Sequence, residues 1–509
     1  MNLIKKFFSH RVAFIFVPMI LQLAFLISII KRFNEYFVFF YGASVLLSLV
    51  VVLWIINNRD KPAYKIAWII PILLFPIFGG LFYLIFGGDK LGKNLKKKMK
   101  LVVDKTKEVL EPRDDILEEI GLQDQCALNQ SRYIQNNGYY PPQCNTETQY
   151  LPLGEVKFAK LLEELSKAKR YIFLEYFIIE EGLMWNSILE ILVEKAAQGV
   201  DVRLIYDDAG CLFTLPYGYN KKLEKMGIKC CIFNPLVPLL SPRLNNRNHR
   251  KIAVIDGCVG FTGGINLADE YINKIEKYGH WKDTAIMLKG EAVWNMTVMF
   301  LTMWCYLRGT DEDITKFKAD YSSNKISPGY VQPFADSPLD DEPVSETVYL
   351  NLINKAKSYV YITTPYLVID NEMERALSSA AKAGVDVRII TPHIPDKWYV
   401  HEVTKSFYKN LVESGVKIYE YIPGFIHAKT FVVDDVYGVV GTINLDYRSL
   451  FTHFECGVWM YKTSSVKEIK EDFLTTLDVC KEILWEDFKN IKWYQTLTSS
   501  LLRIFSPLM

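Results

Sequence analysis

The sequence predicts an α/β protein in which two tandem α/β domains form one pseudo-symmetric unit, preceded by N-terminal transmembrane helices. Three observations lead to this prediction. Uncharged apolar runs fill much of the first 90 residues, short motifs recur in unchanged order later in the 509-residue chain, and each copy alternates helical and strand patterns. The expected parts are a membrane anchor over 1–110, a first domain over 111–320, and a second domain with a C-terminal tail over 321–509.

The membrane anchor is predicted from three apolar runs without a charged residue, at 12–30, 36–58 and 66–88. A helix needs about 20 apolar residues to cross the hydrocarbon core, and a soluble protein has no need of three such runs in succession. The first run could be a signal peptide, but no small-residue cleavage site follows it. The third run contains Pro71 and Pro76, so it is either a kinked span or a re-entrant segment. The anchor therefore has two or three true spans.

The formal net charge of +1 conceals two portions of opposite sign. Residues 1–110 hold 16 Lys or Arg against 5 Asp or Glu, whereas the remainder holds 43 against 53. Lysines cluster just after the third apolar run, at Lys90, Lys93, Lys96, Lys97, Lys98, Lys100, Lys105 and Lys107. Under the positive-inside rule this cluster places the following domains in the cytoplasm, against anionic lipid headgroups. Three spans would leave the basic N-terminus outside, which the same rule disfavours, so the N-terminal orientation stays open.

The two domains are predicted from an internal duplication. AKRYI at 168–172 returns as AKSYV at 356–360, and GVDVR at 199–203 returns unchanged at 384–388. The order is kept while the offset shrinks from 188 to 178 residues, as expected for a duplicated fold with shorter loops in the second copy. Each copy reads helix, strand, helix, strand, which favours a largely buried sheet between helices. Residues 311–343, polar and with prolines, are the expected linker.

The copies agree best around two histidines. Each copy has His at position i, Lys at i+2, Asp at i+7 and Asn at i+17: His249, Lys251, Asp256 and Asn266, then His427, Lys429, Asp434 and Asn444. Only 7 histidines occur in the chain, so this matched setting argues against two ordinary core histidines. Residues i and i+2 of a strand share a face, so each His is expected beside its Lys. A neutral imidazole, an ammonium group and an amide together suit attack on a phosphate and its binding.

Acidic residues near these motifs have two expected roles. Asp256 and Asp434 complete the motif and are candidates for the catalytic set, but their opposite parity at a predicted tight turn favours a structural role. Asp283 and Glu455, on the strands that follow, are the expected carboxylates that orient the imidazoles; the alternative is an edge-strand acid without a catalytic role. The expected phosphate-binding residues among the repeated amides are Asn266 and Asn444.

No metal or cofactor is expected from the sequence. The 9 cysteines are scattered and form no C-x-x-C pair and no cluster with histidine. This pattern is typical of reduced thiols in a cytosolic domain, and it indicates neither a zinc site nor a disulfide framework.

The doubled His-x-Lys-x4-Asp motif with trailing Gly and Asn resembles the signature of the phospholipase D superfamily. With its membrane anchor, the chain is similar more narrowly to bacterial cardiolipin synthases, and the resemblance covers residues 36–509. Further family-like segments are Thr363–Tyr366, Gly441–Leu450 and Phe505–Leu508. One departure is Gly264, where the superfamily often has Ser, whereas Thr442 keeps a hydroxyl in the second copy. The resemblance implies that Thr442 binds phosphate.

The resemblance implies two phospholipase D-like domains with one active site at their interface. One histidine, with His249 favoured, attacks phosphorus to give a phosphatidyl-histidine, while the other protonates the leaving glycerol and then activates the acceptor alcohol. The implied reaction is phosphatidyl transfer from one phosphatidylglycerol to another, giving cardiolipin and glycerol without a metal. The implied setting is a multi-pass protein of the bacterial cell membrane, with catalytic domains on the cytoplasmic side and anionic lipids as partners.

Other functions remain open at this level. The motif does not specify the acceptor, so a hydrolase or a transferase to another alcohol is the nearest alternative. A membrane-tethered nuclease is disfavoured, because the acidic residues 111–509 do not suit nucleic acid as a partner. A non-catalytic scaffold is disfavoured because the His, Lys and Asn pairs are intact. The sequence carries no signal for an oligomeric state.

Overall fold

The structure is a computed structural model of the chain. It describes residues 17–18, 20–25, 27–28, 37–58, 61–87, 93–236, 246–321, 327–339, 342–489 and 492–508. Parts of the first apolar run, and Lys90 of the lysine cluster, lie outside the described residues. The described residues of that run are helical.

Four helices follow in the predicted anchor: α1 (Phe37–Asn57), α2 (Pro62–Leu74), α3 (Pro76–Phe86) and α4 (Lys93–Val109). The third apolar run is kinked at Phe75, because Pro76 has no N–H with which to continue α2. Gly79 lets α3 fold back on α2, since a Cβ there would overlap the backbone of Ile72. Taking fully described residues alone, no helix of the chain is both long and apolar enough to cross a membrane.

Lys61, between α1 and α2, connects these helices to the rest of the protein. Its ammonium nitrogen lies 2.8 Å from a Glu346 oxygen and 3.0 Å from an Asp370 oxygen. Among α1, α2 and α3, the ring of Tyr83 receives Trp54 and Trp68 edge-on, with ring centroids 5.8 and 5.2 Å away. The N-terminal helices are therefore packed together and tied to the second half of the chain.

The first lobe contains a seven-stranded sheet. The strands of this lobe are β1 (Thr146–Leu151), β2 (Tyr171–Tyr176), β3 (Asp201–Asp207), β4 (Lys229–Phe233), β5 (Arg247–Asn248), β6 (Ile252–Ile255), β7 (Val259–Gly263), β8 (His280–Lys282) and β9 (Ala285–Gly290). The short strands β5 and β8 lie outside the seven-stranded sheet. Helices up to this point are α5 (Asp114–Gln123), α6 (Gln125–Tyr133), α7 (Gly154–Ser166), α8 (Leu183–Ala197), α9 (Tyr219–Lys225) and α10 (Val293–Arg308). The strand order is β1-β9-β7-β6-β2-β3-β4, with β2, β3 and β4 parallel and β6–β7 an antiparallel hairpin.

The second lobe repeats this sheet. Its strands are β10 (Tyr330–Asp336), β11 (Tyr359–Thr363), β12 (Leu367–Val368), β13 (Asp386–Pro392), β14 (Lys417–Tyr421), β15 (Gly424–Ile426), β16 (Thr430–Val433), β17 (Tyr437–Gly441), β18 (Leu445–Asp446), β19 (His453–Tyr461) and β20 (Cys480–Ile483). Its helices are α11 (Val344–Lys355), α12 (Asn371–Lys382), α13 (Trp398–Glu413), α14 (Tyr447–Phe451), α15 (Ser464–Leu477) and α16 (Trp493–Ile504). The order β10-β19-β17-β16-β11-β13-β14-β20 matches the first sheet strand by strand and adds β20. The prediction of two α/β repeats is confirmed.

Helix α10 lies between the two sheets. Every residue from Val293 to Cys305 is buried, as a helix with apolar residues on all sides requires. Helices α5 and α6, placed in the first domain by the sequence prediction, bond to the second lobe instead: Ser131 donates to Gln332 (2.8 Å), and Tyr437 donates to Asp124 (2.7 Å). The first sheet accordingly begins at β1.

The C-terminal tail is helical and docks on the second lobe. Arg503 of α16 bonds to Glu374 (2.8 Å) and lies over the ring of Phe407. Trp493, Leu497 and Leu501 are exposed. These contacts fit a helix packed on the domain, and its exposed apolar side chains leave room for a membrane contact as well.

Two short strand pairs cross between the lobes and position the two histidine motifs. β5 pairs with the start of β19, and β15 pairs with β8, both in parallel. Each crossing strand ends one residue before a motif histidine. The pseudo-symmetric crossings therefore bring the two motifs, 178 residues apart, to one place at the interface.

Candidate active site

The two motif histidines are fixed by backbone of the opposite lobe. The N–H of His249 donates to the carbonyl of Phe454 (2.9 Å), and the N–H of His427 donates to the carbonyl of Lys282 (2.7 Å). Both side chains are buried. Neither histidine could keep this position if the lobes separated.

A carboxylate from the opposite lobe holds each imidazole. His249 Nδ1 lies 2.9 and 3.1 Å from the two oxygens of Glu455, and His427 Nδ1 lies 2.7 Å from Asp283 Oδ2. A proton held on Nδ1 by a carboxylate leaves the Nε2 lone pair available for chemistry. The structure thus brings both predicted orienting acids to the histidines, with the partners exchanged between lobes.

Burial keeps both imidazoles uncharged in the absence of substrate. It lowers the pKa of His427 to about 4, an effect that Lys429 strengthens and Asp283 opposes. Burial, then the positive charges of Lys251 and His453, lower the pKa of His249 well below its usual value. Burial also raises the pKa of Glu455 to about 8. Burial therefore disfavours charge of either sign on the His249–Glu455 pair.

The two motif lysines bond back to the backbone of their histidines, in the short segments that join β5 to β6 and β15 to β16 rather than within a strand. Lys251 Nζ donates to the carbonyl of His249 (2.6 Å), and Lys429 Nζ donates to that of His427. Burial lowers the pKa of Lys251 to about 8 and that of Lys429 to about 7. Because these bonds go to neutral carbonyl oxygens, a bound anion would restore the full charge of both lysines.

The predicted phosphate-binding residues are placed differently from one another. Asn266 is committed to the fold, since its Oδ1 accepts from Ile178 N–H (3.0 Å) and its Nδ2 donates to Tyr271 (2.7 Å). Asn444 is buried, and within the described residues its Oδ1 has no hydrogen-bond partner. Because this oxygen is an acceptor, it suits a ligand group that donates a hydrogen bond, such as a hydroxyl, rather than a phosphate oxygen.

Thr442 does not face a phosphate site. Its hydroxyl donates to Glu455 and also contacts the carbonyl of Cys456, and the side chain is fully buried. The prediction of phosphate binding is corrected here: the hydroxyl lies behind the imidazole and holds Glu455 against His249. The sequence could not show this, because it does not reveal on which side of the carboxylate the hydroxyl lies.

Gly264 is the equivalent of Thr442 in the first lobe, and the surroundings of this position explain why it is a glycine. A Cβ at Gly264 would overlap the carboxylate of Asp283. Asp283 instead accepts the backbone N–H of Thr284 (2.8 Å) on the oxygen not used by His427. The second lobe thus has Glu455 with Thr442 behind it, whereas the first lobe has the shorter Asp283 packed against Gly264.

Asp256 and Asp434 lie away from the histidines, at the far ends of β6 and β16. The carboxylate of Asp256 accepts the backbone N–H groups of Lys169, Arg170 and Tyr171 (2.7–2.8 Å). Asp434 accepts the equivalent N–H groups of residues 357–359 at 2.7–2.9 Å. Both have positive φ, at 51° and 54°, as a tight turn requires. Their place in the candidate catalytic set is corrected to a structural one, which their parity favoured.

Replacing Asp434 by asparagine is expected to destabilise the protein without changing its chemistry. The new amide nitrogen would face the N–H of Lys357, which loses an acceptor. We expect a loss of about 2 kcal/mol, seen as a fall of several degrees in Tm of the detergent-solubilised protein. Asp435→Asn is the matched control, because Asp435 bonds to Lys470 at the surface. An activity loss per folded molecule with an unchanged Tm would return Asp434 to the catalytic set.

Aromatic rings that the sequence did not single out line the histidines. Trp281 and Tyr271 lie beside His427, with ring centroids 5.7 and 5.8 Å away, and His453 lies 5.7 Å from His249. Trp281 and His453 occupy equivalent positions, each two residues before its orienting acid. The sequence signal for Trp281 and His453 was this shared spacing from the orienting acids. It becomes informative only once each acid is known to contact the histidine of the opposite lobe.

A cation would be poorly stabilised at this site, although the geometry offers ligands. One ligand atom each from His249, His453 and Glu455 lie within 4.8 Å of one another. However, burial lowers the pKa values of these histidines, and the positive charges of Lys251 beside His249 and Arg448 beside His453 lower them further. The arrangement is suited to an anion, and phosphate is the anion that neutral imidazoles can attack.

Comparisons with known proteins agree with this geometry. A family model described as "Cardiolipin synthase, PLD-like domain" matches residues 161–304 and 349–477, and one described as "Phospholipase_D-nuclease N-terminal" matches residues 46–88. An uncharacterized Streptococcus mutans protein is 44% identical over 90% of this chain and 99% of its own. A "Cardiolipin synthase" of Halalkalibacterium halodurans is 34% identical over 92% of this chain and 93% of its own, and one of Geobacillus sp. is 36% identical over 92% and 94%.

Among solved structures, phosphatidylserine synthase of Haemophilus influenzae shares the fold, with a TM-score of 0.57 at 16% identity, over 74% of this chain and 97% of that one. The two-domain match, the long alignments and the doubled histidine site point the same way. The chain belongs to the cardiolipin synthase family of phospholipase D-like proteins.

Proposed function

We propose that the protein is a cardiolipin synthase, which transfers the phosphatidyl group of one phosphatidylglycerol to a hydroxyl of another and releases glycerol. One observation carries the proposal: two buried, neutral imidazoles, each backed by a carboxylate, meet at the lobe interface with two lysines. The names of the relatives from Halalkalibacterium and Geobacillus support this choice of lipid.

The first half of the reaction forms a covalent intermediate. Nε2 of one histidine attacks phosphorus, and the bond from phosphorus to the headgroup glycerol oxygen breaks. The second imidazole, protonated once the anionic substrate is bound, gives its proton to that oxygen. The products are glycerol and a phosphatidyl-histidine, and the second imidazole is left neutral.

The second half regenerates the enzyme. The hydroxyl of a second phosphatidylglycerol passes its proton to the neutral imidazole and attacks phosphorus, and the P–N bond breaks. Cardiolipin leaves, and both histidines regain their starting protonation states. Proton and bond counts balance over the cycle, so no further reactant is needed.

The surrounding groups supply orientation and charge. Asp283 and Glu455 hold the Nδ1 protons and stabilise the imidazolium form when it is needed. Lys251 and Lys429 offset the charge on the phosphoryl oxygens, which is worth most in a buried site. The four side chains come from both lobes, so the chemistry depends on the interface.

The proposed location is the cytoplasmic face of a bacterial cell membrane, with the N-terminal helices as a multi-pass anchor. Exposed apolar side chains along α1 support contact with lipid tails: Val38, Phe39, Leu46, Val50, Leu53 and Ile56. The lysine-rich α4 follows and suits anionic headgroups such as those of phosphatidylglycerol.

The proposal is tested by incubating the purified protein with phosphatidylglycerol vesicles and, separately, with DNA. We expect cardiolipin and glycerol in equal amounts, unchanged by a chelator, and no DNA cleavage. Phosphatidic acid as the main product would indicate a hydrolase, and DNA cleavage would indicate a nuclease; either result would overturn the proposal.

A further inference from the structure

Arg448 is a largely buried cation close to the active site. It lies on α14, and its Nε donates to Nε2 of His453 (3.3 Å). Burial and then the positive charge of Arg247 lower its pKa, which Asp446 partly opposes. Across the described residues, no carboxylate oxygen lies within ion-pair distance of its guanidinium group. Arg448 is partly rather than fully buried, and an unneutralised guanidinium that is largely removed from water is costly unless a ligand compensates it.

Other buried arginines of the chain are neutralised. Arg203 pairs with Asp201 (2.7 Å) and Glu312 (2.6 Å), and Arg250 pairs with Glu175 (2.7 Å). Arg203 and Arg250 thus each have a carboxylate oxygen within ion-pair distance. Arg448 has no such partner among the described residues.

The two carboxylates whose charges act on Arg448, those of Asp446 and Asp207, accept hydrogen bonds from backbone N–H groups. Asp446 caps α14 by accepting the N–H of Ser449 (2.8 Å). Asp207 accepts the N–H groups of Ala209 (2.8 Å) and Asn248 (3.0 Å). Burial raises the pKa of Asp446 and raises that of Asp207 to about 6. Neither acid is free to turn toward the guanidinium without releasing a loop or a helix end.

The position of Arg448 suits a second phosphate rather than the reacting one. The ring of His453 lies 5.7 Å from the ring of His249. Nδ1 of His453 is the ring nitrogen nearer Glu455, whereas Arg448 bonds to the other ring nitrogen, Nε2. The ring of His453 therefore separates the guanidinium of Arg448 from the imidazole of His249. The terminal oxygens of glycerol are about 5 Å apart at ordinary bond lengths. A lipid with its free glycerol hydroxyl at the histidines can thus place its own phosphate at Arg448.

We propose that Arg448, positioned by His453, binds the phosphate of the acceptor phosphatidylglycerol and so selects a glycerophosphodiester as acceptor. The guanidinium fork matches two oxygens of a phosphodiester, and the bound anion neutralises the buried cation. A neutral alcohol leaves that cation unpaired and is disfavoured. This inference rests on the proposed function and explains how the acceptor is chosen.

The test compares two acceptors that share one donor reaction. Cardiolipin formation uses phosphatidylglycerol as acceptor, whereas exchange of labelled free glycerol into phosphatidylglycerol uses a neutral one. We expect Arg448→Gln to lower cardiolipin formation by roughly tenfold or more, mainly through KM for the lipid, while glycerol exchange changes by less than about threefold. Arg448→Lys should recover part of the loss. Arg388→Gln, at an arginine paired with Asp386 on β13, is the matched control and should change neither rate.

The outcomes separate the two proposals. Wild-type protein that exchanges glycerol but forms no cardiolipin would overturn the proposed function and the acceptor site with it. Wild-type protein that forms cardiolipin, with an Arg448→Gln variant that loses both rates equally or neither, would overturn the acceptor site alone. Millimolar inorganic phosphate should not inhibit, because the lipid phosphate is presented at high local concentration. Strong inhibition that Arg448→Gln removes would assign the site to free phosphate instead.

Discussion

Replacing His427 by asparagine is expected to reduce cardiolipin formation by about 10,000-fold or more, because the site then lacks either its nucleophile or its proton carrier. His249→Asn should have an effect of the same size, since both imidazoles act in each half of one cycle. The double variant should be no worse than either single variant, as expected for groups that act as a unit. The measurement is the initial rate with phosphatidylglycerol vesicles, normalised to folded protein.

The control for this loss is His401→Asn. His401 is also buried, and burial lowers its pKa to about 4, but it lies on α13 rather than at the lobe interface. We expect its rate to stay within about threefold of the wild-type rate. If each motif variant kept half of the activity, the two lobes would be working as independent sites, contrary to the geometry.

The second large effect is expected for Asp283→Asn, at about 100- to 10,000-fold. Asparagine can donate its amide N–H to Nδ1 of His427, which would force the imidazole proton onto Nε2 and remove the reactive lone pair. It also removes the charge that stabilises the imidazolium form. The effect reaches a histidine of the other lobe, 144 residues away in sequence.

Asp472→Asn is the control for Asp283→Asn. Asp472 pairs with Lys282, the neighbour of Asp283, at 2.7 Å, but it contacts neither histidine through a bond of its own. Its activity per folded molecule should be unchanged. A normally folded Asp283→Asn variant within fivefold of the wild-type rate would show that His427 is not oriented by this acid.

Much of the fold is predictable from local patterns. Recurring segments such as GVDVR fix the two repeats, because side-chain periodicity and Gly turns are local properties that duplication preserves. The pairing of His249 with Lys251 is likewise visible in the sequence as a repeated motif, although the strand geometry expected for it does not apply, because both residues lie between β5 and β6. The turn role of Asp256 follows from its parity in the same way.

The remaining features depend on contacts between the lobes. Glu455 contacts His249 and Asp283 contacts His427 because β19 and β8 pair with β5 and β15, and no local pattern encodes that crossing. Thr442 was misplaced for a related reason, since its hydroxyl lies behind Glu455 in the assembled site. Arg448 lies in the family-like segment Gly441–Leu450, but the feature that distinguishes it, the lack of an acidic partner among the described residues, is visible only in three dimensions.

A single site built from both lobes is tested most directly by trapping the covalent intermediate. The two single variants, His249→Asn and His427→Asn, are incubated with phosphatidylglycerol, quenched in acid-free denaturant and digested, and the peptides are examined by mass spectrometry. The predicted result is a phosphatidyl group on the remaining histidine of one variant and none on the other, because only one histidine is the nucleophile. Phosphatidyl groups on the remaining histidine of both variants, each with continuing turnover, would contradict a shared site.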